Sequence, residues 1–154
     1  MNRHSTVTLS LTGIFPIDTW TTQTFGPDAN NPAIVGKLAN PDGDAFNNLL
    51  EYAFGTDPLS PGSSPSLGMS RDGGLRTLTF QQAVAAIDLE FRVGETANLF
   101  NWTEPPFVGR ILSDNGILRA IQAGVPVSPG ASQFIQVQVN QTNKAVINEG
   151  VSGL

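Results

Sequence analysis

From Leu67 onward the chain is cut into short apolar-rich runs separated by Gly, Asn, Asp and Pro at intervals of roughly ten residues, a punctuation that restricts this part to antiparallel β-structure. Strands are expected at 67–70, 75–81, 87–94, 107–112, 117–122 and 132–139. Asp72-Gly73-Gly74 and Asp114-Asn115-Gly116 supply hairpin turns, because Gly and Asn accept the positive φ that primed turns demand. In the last run Phe134, Ile135, Val137 and Val139 alternate with Gln136 and Gln138, which gives a face that is polar yet uncharged. Residues 81–90 also have helical propensity, but their place between strand-like runs favours a strand beginning near Ile87. The expected fold class is mainly β: an antiparallel β-sandwich of immunoglobulin or fibronectin-like type over 67–139, followed by a tail at 140–154.

The residues before it read differently. In 1–16 the segment STVTLSLT alternates Val7, Leu9 and Leu11 with Ser and Thr, the pattern of a strand that must find an edge in its own molecule or in a neighbouring copy. Residues 17–58 read as a helix–loop–helix unit. Its first helix runs through IDTWTTQTFG, with Asp18 as N-cap, Trp20 and Phe25 as apolar contacts and Gly26 as the stop. Its second runs through NNLLEYAFG, where Leu49, Leu50, Ala53 and Phe54 form a stripe closed by Gly55. Residues 59–66 are a Pro/Ser-rich linker.

Between those helices, Asn40, Asp42, Asp44, Asn48 and Glu51 place oxygen-bearing side chains at positions 1, 3, 5, 9 and 12 of a twelve-residue loop, and Phe46 stands at position 7, where a main-chain carbonyl is wanted. Calcium takes six to eight hard oxygen ligands in a flexible shell, and the EF-hand loop supplies them at these positions. Zinc is disfavoured by the absence of Cys and of any usefully placed His, and magnesium by the number of ligands. Two departures point to a weak, extracellular-range site: Asn40 replaces Asp at position 1, and Ala45 replaces the Gly at position 6, where positive φ is expected to cost about 1–2 kcal/mol. The plain alternative is an acidic turn ahead of a helix, since N-x-D-G-D also makes Asx-turns and caps.

The segment DGDAFNNLLEYAFGTDP resembles the "DGDG-x-x-N-x-x-EYA-x-G-x-DP" stretch of a terminal module of large secreted bacterial proteins, itself similar to dockerin and thrombospondin type 3 calcium loops. The upstream Trp20 and Phe25, and LTF at 78–80, DLEFRVGETANLFNWTE at 88–104 and QFIQVQV at 133–139, extend the resemblance over roughly 17–139. It implies secretion to the outside or the cell surface, a calcium-stabilised structure, a small β-sandwich after the loop, and no catalysis. Asp57 matches the Asp of the "DP" pair; a turn before Pro58 is its expected role ahead of a ligand.

Composition narrows the function further. Lys and Arg total 8 of 154 residues and are scattered, so no basic stripe is available for nucleic acid. With no cysteine there is neither a disulfide nor a thiol nucleophile, and no stretch approaches the 18 apolar residues of a membrane span. No signal-peptide core is visible in the opening residues, so a leader already removed or another export route is expected. The single histidine, His4, is near the end of the chain, where a catalytic triad would lack a rigid base. Asp88 and Glu90 share a strand face but no recognisable cleft. Phe100, Trp102 and Phe107 are expected to pack in the core in preference to forming a sugar platform, which leaves a carbohydrate partner without support. The expectation is a non-catalytic extracellular structural protein that forms a homo-oligomer or homopolymer as a fibre, tube or surface layer; the alternative is a ligand-binding or adhesion module of a larger secreted protein.

Overall fold

The computed structural model describes residues 16–105, 108–127, 130 and 133–142. The element order is α1 (Pro16–Phe25), a 3₁₀ turn (Gly26–Asn30), α2 (Pro32–Val35), α3 (Asn48–Phe54), then strands β1 (Leu67–Asp72), β2 (Leu75–Ala83), β3 (Leu89–Thr96), β4 (Val108–Asp114), β5 (Leu118–Pro126) and β6 (Phe134–Gln141). The protein is thus mainly β with antiparallel sheets. None of its described helices is long and apolar enough to cross a membrane.

Proline sets the start of α1: its fixed φ suits the first turn and its missing N–H is one the helix cannot pair there anyway. Asp18, expected as the N-cap, lies inside the first turn, where a negative charge still complements the helix dipole. A side chain does cap α3, with Asn47 Oδ1 accepting the Leu50 N–H at 3.1 Å. That helix ends as expected on Gly55, in the left-handed region at φ 71.

The six strands make a four-stranded sheet in the order β1-β2-β5-β4 and a two-stranded sheet of β3 and β6. Gly73 and Gly74 turn β1 into β2 with φ of 53 and 84, and the β1–β2 register then runs from Asp72↔Leu75 to Leu67↔Phe80. Each strand expected from Leu67 onward is present, whereas the one expected at 5–12 lies outside the described residues; β3 starts at Leu89 instead of Ile87. The Ala86 and Ile87 N–H groups are used in turns to Ala83 and Ala85, and Ile87 remains exposed. A register shift between Ile111 and Ser113 marks a bulge in β4.

Period-2 alternation decides what is buried. Leu67, Phe80, Ile121 and Ile111 stand opposite one another across the four-stranded sheet and so share a face. Phe80 and Leu78 meet Val93 of the smaller sheet, Phe54 of α3 and Val125 in one core cluster. Phe80 stacks on Phe91 at 5.8 Å while Phe54 meets both rings edge-on, at 6.5 and 6.1 Å. A second cluster joins Ile17, Tyr52, Ala53, Ala86 and Leu89, with Trp20 5.3 Å from Tyr52.

The second cluster borders a buried polar group, Asp88, whose partners are not visible in the local sequence. Asp88 is fully buried ahead of β3 and accepts hydrogen bonds from the Tyr52 hydroxyl at 2.7 Å and the Ile17 N–H at 3.3 Å. Its main-chain carbonyl accepts from the Thr142 N–H and hydroxyl, at 2.7 and 3.0 Å. Burial, followed by the hydrogen bond to Asp88, pushes the Tyr52 phenol well above its ordinary range. Replacing Tyr52 by Phe removes one donor from a buried carboxylate, so urea unfolding is expected to show a loss of about 1–3 kcal/mol.

Candidate metal centre

The loop between α2 and α3 is fastened at its base by two main-chain bonds, Asn48 N–H to Ala39 O at 2.9 Å and Leu49 N–H to Lys37 O at 3.0 Å. Inside it, each polar side chain catches an N–H a short way ahead. Asn40 Oδ1 accepts from Gly43 at 2.9 Å, Asp42 Oδ1 from Asp44 at 3.2 Å, and Asp44 Oδ1 from Phe46 at 2.6 Å. Asn40 Nδ2 also donates to Asp44 O at 2.7 Å. These are Asx-type closures, which short polar side chains make more readily than long ones.

Such closures use only one oxygen of each aspartate. Asp42 Oδ2 and Asp44 Oδ2 are buried without a partner, and so are both oxygens of Glu51. Asp42, Asp44 and Glu51 each bring a carboxylate oxygen within 4.8 Å of the others. Glu51 is 0 % exposed because it lies on α3 among Tyr52, Ala53 and Phe54, which must be buried to build the core. Desolvation, then the charges of Asp42, Asp44 and Asp57, pushes its carboxyl up to about 7. Three carboxylates with no described cation beside them repel one another, and they become favourable together only through a proton or a bound cation.

The six residues expected as ligands therefore divide. Asp42, Asp44 and Glu51 are brought together. Asn40 acts as a clasp across the loop, with both atoms of its amide engaged by main chain. Phe46 donates its N–H to Asp44. Asn48 Nδ2 donates to Ile34 O at 2.7 Å and Gly36 O at 2.9 Å, joining α2 to the start of α3, while its buried Oδ1 has no partner.

The expected positive φ at Ala45 is corrected: the left-handed residue of the loop is Gly43, at φ 76. The turn comes at position 4, between the two aspartates, so Ala45 sits in ordinary backbone. Asp57 Oδ1 accepts the Leu59 N–H at 3.0 Å, in keeping with a turn role. Next to it, Thr56 Oγ1 is a buried oxygen without a partner that the ligand spacing gave no reason to single out.

The assembly residues Val7, Leu9 and Leu11 lie outside the described residues, as does Phe107. Phe100, expected in the core, is 88 % exposed. Asp88 and Glu90 do not form a carboxylate pair: Asp88 is the buried anchor described above, and Glu90 pairs with Arg92 at 3.1 Å. No family model matches the chain, and neither a curated protein nor a solved structure matches it.

Two predictions follow from this geometry. The raised Glu51 carboxyl means that, without a bound cation, the folded state holds a proton that the unfolded chain has released between about pH 4.5 and pH 7. Stability then falls as pH rises through that window. In chelator, melting temperature should be higher near pH 5 than near pH 8, and Glu51→Gln should flatten the difference. For the turn, Gly43→Ala is expected to cost about 1–2 kcal/mol through positive φ alone, since no atom lies within 4 Å of the added Cβ. Ala45→Gly should bring no gain in melting temperature or in cation affinity.

Proposed function

We propose that this protein is a non-catalytic, extracellular structural subunit, a β-sandwich consolidated by calcium at an EF-hand-like loop and built to associate with copies of itself. One observation carries the calcium reading: a fully buried Glu51 carboxylate with both oxygens unpartnered, within 4.8 Å of carboxylate oxygens from Asp42 and Asp44. Calcium binds oxygen at about 2.3–2.6 Å, so two of its ligands can stand as much as about 5 Å apart, and the observed spread fits that span. The donor set is all hard oxygen, without the nitrogen or sulfur that zinc prefers. Asp42, Asp44 and Glu51 would hold the ion, which would neutralise their mutual repulsion and tie the loop to α3. Resemblance to the terminal modules of secreted proteins supports the extracellular setting.

The sandwich reading draws support from strand order. A β1-β2-β5-β4 sheet facing a β3-β6 pair corresponds to the ABED and CF strands of an immunoglobulin-type arrangement. Both outer strands of the larger sheet are exposed, β1 throughout and β4 from Gly109 to Asp114, which is a surface suited to association. A ligand-binding module is favoured by a different feature, a cleft of about 240 Å³ beside α1, walled by Trp20, Asp18, Lys37 and Asn48.

Calcium should raise the melting temperature and magnesium should hardly change it. With a Kd near 10⁻⁴ M, about 10 mM calcium adds about 2.7 kcal/mol by mass action. Asp44→Asn and Glu51→Gln should each remove most of that gain. A melting curve indifferent to calcium in the unaltered protein would overturn the reading.

A further inference from the structure

We infer that the outer edge of β6 receives residues 5–12 of a second copy of this chain as an added antiparallel strand. This rests on the sandwich and self-association reading above, and it names the acceptor edge and the donor.

Hydrogen-bond parity identifies the acceptor groups. The Thr142 N–H donates to Asp88 O, and the register continues from Leu89↔Gln141 to Thr96↔Phe134, so even-numbered residues of β3 and β6 bond one another. Glu95, an odd position, exchanges both of its main-chain bonds with Thr103 on the far side of β3, as that parity requires. Ile135, Val137, Val139 and Gln141 consequently turn their N–H and C=O groups away from β3. Among the described residues no strand pairs with them.

The sheet above is wider than the sheet below, and part of the excess falls over this edge. Leu67 and Met69 of β1 stand opposite the buried Phe80 and Leu78, hence on the core-facing side, yet they are 53 % and 61 % exposed. The Arg76 guanidinium of β2 donates to Gln133 O, just ahead of β6, which sets β2 over β6 and β1 beyond it. The side chains of Ile135, Val137 and Val139 already pack against the core. A strand beside β6 would extend that row beneath Leu67 and Met69.

Residues 5–12 fit this position in length and pattern. They are as many as the 8 residues of β6, and Val7, Leu9 and Leu11 fall on one face. Direction selects the molecule they come from. In its own chain the segment leads to Ile17, which is bonded to Asp88 at the end of the sheet where β6 finishes. Running toward that end, it would lie parallel to β6, the weaker pairing and one ordinarily buried on both faces. From another copy no such tether applies, and the antiparallel direction is open. Each subunit then gives and receives a strand, and repetition of this head-to-tail contact makes a ring or a filament.

Because the chain has no cysteine, engineered pairs give an unambiguous readout. A Thr8→Cys chain and a Gln138→Cys or Gln136→Cys chain, all on the face away from the core, are refolded together and oxidised. Disulfide-linked heterodimers are expected from the mixture, and a ladder of covalent oligomers from the double variants. Deletion of 1–13 should abolish association, and deletion of 143–154 should leave the cross-links in place. A double variant that closes only within one molecule, no cross-link at either position, or cross-links that form only once 143–154 are deleted would each overturn the inference, the last by assigning the edge to the chain's own tail. Sedimentation of the unaltered protein separates this from the wider reading. Association without cross-links at β6 rejects this edge alone, whereas a monomer at every concentration rejects self-association as well.

Discussion

A single buried carboxylate holds together parts of the chain that are far apart in sequence. Asp88 sits where the chain turns into β3, and through its side chain and carbonyl it meets the start of α1, the middle of α3 and the end of β6. The interaction is costly to break, because Asp88, once buried, has no water to fall back on. Helical and sheet parts are therefore not independent bodies connected by 59–66. Tyr52 links them by its hydroxyl and Phe54 by its ring, so the helix that carries Glu51 is positioned by the sheet core.

Two acidic residues are fully buried within this frame, and they differ in kind. Asp88 has donors around it and makes a structural joint. Glu51 has none, and its nearest charged neighbours are other carboxylates. A polypeptide keeps such a group buried only where something outside the chain, a proton or a cation, completes it. The contrast supports the proposed binding role of the loop, since the same fold satisfies one acid internally and leaves the other to be satisfied from solution.

Much of the β architecture could be read from the sequence because its signals are local. Alternation in Phe134–Val139 and the Gly73-Gly74 turn depend on neighbours one or two residues away. The three carboxylates of the loop were legible for the same reason, through spacing. What escaped was non-local or conformational. Asp88 looked like a strand residue beside Glu90, since its partners are 71 and 36 positions away. The EF-hand pattern puts positive φ at position 6, Ala45, whereas Gly43, at position 4, takes that role. Spacing singles out Asn48 for its side-chain oxygen but does not show that its Nδ2 binds the C-terminal end of α2, an element of four residues that pattern reading does not resolve.

The convergence at Asp88 also has a mechanical meaning. Ile17 and Thr142 both bond to this one residue, so tension entering ahead of α1 and leaving after β6 would be borne across a gap of a few hydrogen bonds. The long registers of β2 with β5 and β3 with β6 would lie off the line of force. A unit pulled in this direction would load the clasp and the Ile17–Tyr52 packing beside it, with its sheets outside the path of the tension.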